Sequence, residues 1–372
     1  MKHAKRQGHL LIPTALLLIY AAALLSAVGA FFNTPVKQSA HNSADAREAH
    51  SGRAVTHQNS SRNSNPAPLR FARFKHLFIE PSSVLIPQAV LPNLSQRFTL
   101  NATTHRLYLL PFPFEGKIQV YDTRTDQRIA EVPIQASSIW DLWVHPQTHK
   151  LCARVEERQL YVLNERGDDF DKPKLRWIYD SDSIPLYALF QDSNPARSST
   201  PPPAPSIASP YTGHWLYFEQ TGRILLVKWL TRTLMELDAR TGVIERELHF
   251  GPTKIKGLTG PGEFVFAPEM GRIYLAEKFG QAVLVVDPGQ LRVVARIPLA
   301  GFPYFMAANP RTHRIFVSSE GDFRVFIIDT RTNRVIASPE CDDVPVTIAV
   351  DPELSKVYIN IGKFVVVCQE RG

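Results

Sequence analysis

The chain has 372 residues, of which 44% are apolar, 10% aromatic and 21% charged, as in typical globular proteins. This composition excludes collagen, a long coiled coil, a wholly disordered protein and a polytopic membrane protein. The formal net charge is +7, but residues 1–70 hold eight Lys or Arg and two Asp or Glu, which leaves 34 basic and 33 acidic residues in 71–372. Because that larger part is nearly neutral, the sequence predicts no nucleic-acid partner.

The N-terminal segment is strongly apolar. Residues 10–32 form a run of 23 uncharged residues that follows three basic residues in the segment 1–9. Such a run is long enough to cross a bilayer, and the charge bias places residues 1–9 in the cytoplasm. We therefore predict a single-pass signal anchor with the rest of the chain outside the cytoplasm, in a periplasm or at a cell surface. A cleavable signal peptide is the alternative, since Val28-Gly29-Ala30 is a small-residue cleavage sequence, and the protein would then be secreted.

The segment that follows, residues 33–70, contains no Phe, Trp or Tyr and is rich in Ser, Asn, Ala, His and Arg. Such a composition cannot bury enough apolar area to offset the entropy lost on ordering. The sequence therefore predicts a disordered linker between the anchor and a folded domain at 71–372.

Two turn sequences recur through residues 97–372, each between short runs rich in Val, Ile, Phe and Tyr. The clearest second turn is Asp329-Thr330-Arg331-Thr332-Asn333, which recurs at residues 122–126, 238–242 and 287–289. Copies of the first turn lie at residues 101–106, 145–150, 267–272, 309–314 and 351–356. Apolar runs separated by Asp, Asn, Gly and Pro are typical of short strands joined by turns.

Units of four strands and about 40 residues predict an all-β fold, a β-propeller in which each unit is one blade. Six units can be counted, with starts near residues 96, 138, 213, 262, 301 and 344, and a seventh stays open because residues 184–190 could form a stray strand. The Pro- and Ser-rich residues 192–210 are predicted to be a surface insertion. The last unit lacks an outer strand, and Ser83 to Val90 is the predicted donor that closes the ring.

This pattern resembles the YVTN-type β-propeller repeat family, which occurs in bacterial and archaeal surface and periplasmic proteins. The resemblance covers roughly residues 95–372, although Phe316-Val317-Ser318-Ser319 and Tyr274-Leu275-Ala276-Glu277 depart from the motif that names the family. The resemblance implies a scaffold and no particular activity, because propellers support many unrelated functions.

One strand position is the best candidate for a site. In the first strand of each unit, large apolar residues alternate with a second set of residues, which we call the second register. Because successive side chains of a strand point to opposite faces, the second register lies on the face away from the apolar residues. Four of its six members are ionisable, so they predict an arc of charges at one mouth of the propeller channel. The arc is interpreted either as a solvated channel whose charges pair with one another or as a site that binds a small polar ligand. The ionisable members are Arg97, Asp141, His214 and Glu263, and the others are Phe305 and Thr347.

Other candidate residues have simpler interpretations. The repeated His105, His149 and His313 are attributed to the repeat rather than to a metal site. The hairpins between second and third strands are interpreted as a solvated rim. Their charged residues are Glu115, Glu277, Lys278, Glu320 and Asp322.

The sequence contains no catalytic motif, and neither a metal nor a cofactor is predicted. It therefore predicts a membrane-anchored extracytoplasmic scaffold that binds a protein or a small polar ligand. The alternative is an enzyme built in the propeller channel, either a lactonase-like hydrolase or a cofactor-dependent oxidoreductase.

Overall fold

The structure, a computed structural model, is all-β over the residues that it describes, with one short 3-10 turn at Lys278–Gly280. The predicted anchor at 10–32 and almost all of the linker at 33–70 lie outside those residues. No helix long and apolar enough to cross a membrane is present in the described part of the chain. The described residues are 69–70, 79–111, 113–134, 139–144, 151–155, 159–163, 165–166, 169–170, 174–178, 183–185, 206–208, 212–218, 221–228, 232–238, 243–250 and 262–372.

The strands coincide with the apolar runs of the repeat, because β-branched and aromatic side chains suit a pleated, half-buried surface. In chain order they are β1 (Leu69–Arg70), β2 (Leu85–Asn101), β3 (Arg106–Pro111), β4 (Lys117–Asp122), β5 (Gln127–Pro133), β6 (Ile139–Val144), β7 (Leu151–Val155), β8 (Gln159–Leu163), β9 (Glu165–Arg166), β10 (Asp169–Phe170), β11 (Lys174–Ile178), β12 (Ser183–Pro185), β13 (Ser206–Ala208), β14 (Thr212–Phe218), β15 (Arg223–Lys228), β16 (Thr233–Asp238), β17 (Ile244–His249), β18 (Phe264–Ala267), β19 (Arg272–Glu277), β20 (Ala282–Asp287), β21 (Arg292–Pro298), β22 (Pro303–Asn309), β23 (Arg314–Ser319), β24 (Arg324–Asp329), β25 (Arg334–Ala337), β26 (Pro345–Asp351), β27 (Lys356–Ile361) and β28 (Phe364–Glu370).

The described strands form six antiparallel arrangements of four strands, numbered here in chain order. Sheet 1 is the second half of β2 with β3, β4 and β5, and sheet 2 is β6, β7, β8 and β11. Sheets 3, 4 and 5 are β14–β17, β18–β21 and β22–β25, and sheet 6 is β26, β27, β28 and the first half of β2. The six predicted units thus correspond to six four-stranded arrangements.

Strand β2 belongs to two sheets because it is 17 residues long. Its first half pairs with β28, with Leu85 opposite Glu370 and Val90 opposite Val366. Its second half pairs with β3, with Phe98 opposite Leu109. The predicted donation of an N-terminal strand to the last unit is therefore confirmed.

Short pairs accompany these sheets. Strand β1 pairs with β2, so Leu69 and Arg70, the last two residues of the predicted linker, take part in strand pairing. Strand β12 pairs with β13, and this pair brackets most of the insertion that was predicted at residues 192–210. Two strands of three residues do not make a seventh four-stranded unit within the described residues.

The apolar core lies between the faces of consecutive sheets. Five buried clusters join sheet 1 to sheet 2, sheet 3 to 4, sheet 4 to 5, sheet 5 to 6, and sheet 6 back to sheet 1. In the last of these, Phe98 and Leu107 of sheet 1 pack with Tyr358 and Val365 of sheet 6. Burying these faces removes apolar area from water, which is the main favourable term in folding.

Candidate functional site

The candidate site lies where the first strand of each sheet begins, which we call the entry end. Because neighbouring strands are antiparallel, the hairpin between the second and third strands lies at the same end. The first strands contact one another in the order β14, β18, β22, β26, β2 and β6. The entry end therefore brings together the starts of strands from different sheets.

The alternation predicted for the first strands is visible in their burial. Phe98, Phe264, Met306 and Ile348 are 4–6% exposed. In the other register Arg97 is exposed, and Glu263, Phe305 and Thr347 are half-buried. Of the four predicted site residues, Asp141 and His214 lie in β6 and β14, and their side chains are outside the described part of the structure.

A β-bulge occurs near the start of several first strands, at the positions of the second register. In β22, Tyr304 and Phe305 together oppose Ser318, since Pro303 pairs with Ser319 and Met306 with Val317. Strands β2, β6 and β26 show a register shift at the same place. Bulges bend a strand and redirect its side chains, so Tyr304 joins the site although the alternation alone would not select it.

Glu263 is held against the neighbouring sheet. Its backbone N–H donates to the carbonyl of Tyr304 at 2.8 Å, and its carboxylate Oε2 accepts from the backbone N–H of Met306 at 3.2 Å. Gly262 permits this approach, because a Cβ there would lie 2.6 Å from the Tyr304 carbonyl oxygen. The carboxylate is thus fixed by backbone contacts between sheets 4 and 5.

Tyr304 is the centre of a mixed charged and aromatic group. Lys278 Nζ lies 4.3 Å from the centroid of the Tyr304 ring and 2.6 Å from Glu320 Oε2. Burial, followed by Glu263 and Glu320, raises the pKa of Tyr304 well above its usual value, whereas Arg97 acts to lower it. Tyr304 is therefore a neutral hydrogen-bonding hydroxyl at ordinary pH, in a region reached by charges from sheets 1, 4 and 5.

The solvated-rim interpretation is wrong for Glu277, which is only 4% exposed. Its Oε1 lies 3.2 Å from Arg232 Nη2, and its Oε2 pairs with Arg296. The carboxylate folds so closely over Gly280 that a side chain there would overlap it. A buried carboxylate between two guanidinium groups of sheets 3 and 4 is structural rather than a free ligand group.

The opposite end, which we call the turn end, contains the repeated turns that the structure describes in sheets 1, 4, 5 and 6. Here His105 of sheet 1 bridges two carboxylates of sheet 6, with Nδ1 2.8 Å from Asp351 and Nε2 3.1 Å from Glu353. His313 of sheet 5 lies 3.9 Å from Glu269 of sheet 4, and His149 lies outside the described residues. These polar side chains of the turn end are thus used in contacts between sheets.

The described residues contain no group of three or more His, Cys, Asp or Glu that could hold a metal ion. What the entry end offers chemically is a guanidinium, two carboxylates, an ammonium and a neutral phenol. These groups can bind and orient a polar molecule. Comparison with protein-family models and with curated proteins finds no match for this chain.

Proposed function

We propose that the chain is a six-bladed β-propeller of the YVTN type that acts outside the cytoplasm as a binding scaffold. The observation that carries this proposal is the asymmetry between its two ends. At the turn end, polar side chains bond neighbouring sheets to one another, and at the entry end, charged and aromatic side chains from three sheets gather around Tyr304.

Closure of the propeller is supported by a contact that recurs between sheets. The hydroxyl of Tyr274 in sheet 4 donates to Thr330 and Asn333 in the turn of sheet 5, at 3.2 and 2.8 Å. The equivalent Tyr358 in sheet 6 donates to the turn of sheet 1, at Thr123 (3.2 Å) and Asp126 (2.7 Å). Sheet 6 thus contacts sheet 1 as sheet 4 contacts sheet 5, as expected where the last and first units of a closed ring meet.

A second turn-end contact also occurs both between sheets 4 and 5 and between sheets 6 and 1. The carboxylate of Glu269 in sheet 4 accepts from the Thr330 hydroxyl in sheet 5 at 3.1 Å. The carboxylate of Asp351 in sheet 6 accepts from the Thr123 hydroxyl in sheet 1 at 2.6 Å. Because Asp351 is fully buried, this contact costs stability if it is broken and is not available to a ligand.

The entry end is the better place for ligand binding. Arg97 is exposed in sheet 1, and its charge reaches Tyr304 of sheet 5. Guanidinium groups bind carboxylates and phosphates through paired N–H donors. A small polar molecule with an anionic group would therefore contact Arg97 while its uncharged part meets the Tyr304 and Phe305 rings, which lie 4.5 Å apart by their centroids.

The test is a thermal-shift titration of the full-length protein with citrate, inorganic phosphate and glucuronate. We expect at least one of these anions to raise the melting temperature of the wild type and not that of Arg97→Ala. The control is Arg331→Ala, which removes an exposed guanidinium at the turn end. An anion effect that disappears in Arg331→Ala and persists in Arg97→Ala would place binding at the wrong end and contradict the proposal.

Membrane anchoring through residues 10–32 belongs to the same proposal. Its support is the length of the apolar run and the basic residues before it. An anchor of this kind would hold the folded domain outside the cytoplasm.

A further inference from the structure

A second surface on the chain combines exposed aromatic rings with negative charge. Phe323 and Phe364 are 46% and 38% exposed, and they are the two exposed aromatic side chains among the described residues. Phe323 belongs to the entry-end hairpin of sheet 5, and Phe364 follows that of sheet 6. Aromatic side chains are enriched in the surfaces through which proteins contact partners.

A single connecting segment, residues 338–344, joins the two hairpins. The N–H of Cys341 donates to the carbonyl of Phe323 at 2.7 Å, and the N–H of Gly362 donates to the carbonyl of Val344 at 2.9 Å. The side chain of Asp343 lies directly against Gly362. The connecting segment thus contacts both hairpins, and we call the two hairpins together with this segment the aromatic–acidic face.

The backbone at Phe323 supports a role for its ring. Its φ of 50° is in the left-handed region, which bulky side chains rarely adopt. The residue before the third strand is left-handed in sheets 1, 3 and 4 as well, where it is Gly116, Arg232 and Gln281. Sheet 5 thus keeps an exposed aromatic ring at a position that glycine would fill without strain.

The charge of the face is negative. Asp342, Asp343 and Glu80 are exposed, and no described residue forms an ion pair with any of them. The N–H of Glu80 donates to the carbonyl of Glu340 at 2.7 Å, which places Glu80 beside the connecting segment. Glu340 pairs with Arg324, and the carboxylate oxygens of Asp322 are buried, so the exposed charge of the face comes from these three carboxylates and one ammonium, Lys363.

We propose that the aromatic–acidic face binds a basic peptide segment of a partner protein, with apolar side chains seated on Phe323 and Phe364. This inference deepens the proposed scaffold function by naming the chemistry of the partner. Charge complementarity selects a basic segment, since like charges across an interface are repelled. The aromatic rings supply the apolar contacts that make such a segment bind in a defined register.

The experiment measures binding of synthetic 12-residue peptides to immobilised full-length protein by biolayer interferometry. One peptide alternates Lys with Leu, the second alternates Lys with Ser, and the third alternates Glu with Leu. We expect the Lys–Leu peptide to bind at least about tenfold more tightly than the other two, and to weaken as salt is added.

Two variants locate the binding. Phe323→Gly removes the ring and relieves the backbone, and the pair Asp342→Asn with Asp343→Asn removes two charges. Each should raise the Kd of the Lys–Leu peptide about tenfold. The matched controls are Gln281→Gly, at the same hairpin position of sheet 4, and the pair Glu115→Gln with Glu353→Gln, which should leave the Kd unchanged.

Lys–Ser and Lys–Leu peptides that bind equally, or a Kd that neither variant changes, would overturn the proposal. Thermal melts of each variant verify that it is folded. If anions still stabilise the protein through Arg97 while no basic peptide binds, the aromatic–acidic face is wrong and the entry-end proposal survives. If neither binds, the scaffold function itself fails.

Discussion

At the scale of single residues, the repeated Asp of the second turn does what its sequence position predicts. Asp122 and Asp329 each accept the backbone N–H of the residue two positions later at 2.8 Å, and Asp287 accepts that of Gln290 at 3.0 Å. All three carboxyls have a lowered pKa, because bonds from backbone or arginine N–H groups favour the charged form over any cost of burial. One residue type thus closes the turn of three sheets.

Asp329→Asn should destabilise the protein by about 1 kcal/mol at neutral pH, because the charge-assisted bonds become neutral ones. The Arg331 side chain is the largest cause of the lowered pKa of Asp329, followed by opposing burial and backbone bonds. A lowered folded pKa means that the stabilisation is complete above the usual Asp value of about 4 and is lost as the pH falls below it.

Urea unfolding of the full-length protein at several pH values measures this effect. The stability difference between the wild type and Asp329→Asn should shrink from pH 7 to pH 3. Asp342→Asn is the control, since Asp342 is exposed and forms no ion pair with a described residue, and it should unfold like the wild type. A difference that stays constant across this range would contradict the turn-charge account.

At the scale of elements, β2 is the strand that two sheets share. It supplies the outer strand of sheet 6 and the first strand of sheet 1, and it carries the exposed Arg97 near its bulge. Leu85, Val90 and Leu91 are at most 1% exposed in its first half. A single strand therefore joins sheet 6 to sheet 1, buries apolar side chains between them and carries one residue of the candidate site.

Deleting residues 71–92 should lower the melting temperature of the whole domain and weaken its cooperativity. The deletion exposes the edge of β28 and the apolar faces that Leu85, Val90 and Leu91 cover. Each such side chain contributes about 1.5–3 kcal/mol by burial, so the summed loss is about 5 kcal/mol or more.

The measurement is a calorimetric melt of the deletion variant beside the full-length chain. A matched control deletes residues 45–66 instead, which removes the same number of residues from the predicted linker and should leave the melt unchanged. Equal melting of the 71–92 deletion and the wild type would mean that β2 is not needed for closure.

At the scale of the whole molecule, the proposal combines an anchor, a linker and a propeller with its entry end available for binding. A flexible spacer of 38 residues has a root-mean-square span of about 35 Å, enough to keep a domain clear of a bilayer. Nearly all excess positive charge lies in residues 1–70, and the domain beyond is almost neutral. In this proposal the excess positive charge orients the anchor in the membrane, and ligand binding depends on local groups of charged side chains in the folded domain.

Protease treatment of intact cells measures the membrane topology of the chain. We expect the full-length chain in the membrane fraction, with the part beyond residue 33 degraded from outside and a fragment of about 30 residues protected. An intracellular protein of similar size serves as the control and should stay intact. A soluble mature protein that begins at Phe31 would instead support a cleaved signal peptide.

The strands, the turns and the six units follow from the sequence alone. So does the donated strand, which was predicted at residues 83–90 and pairs with β28 over residues 85–94. These features are local or periodic, because alternation with period two and turn residues such as Asp329 act within a few positions of the chain. The buried register that contains Phe98 and Met306 was predictable for the same reason. So was the exposure of Arg97 on the opposite face.

Only the tertiary structure decided which of these residues meet. Tyr304 enters the site through a bulge that shifts the alternation by one position, and no periodic pattern reveals an inserted residue. Glu277 looks like a surface residue in the sequence, yet it is buried between Arg232, which precedes β16, and Arg296 of β21. Contacts between distant segments depend on how sheets pack, because a side chain's charge partner is chosen by position in space and not by spacing along the chain.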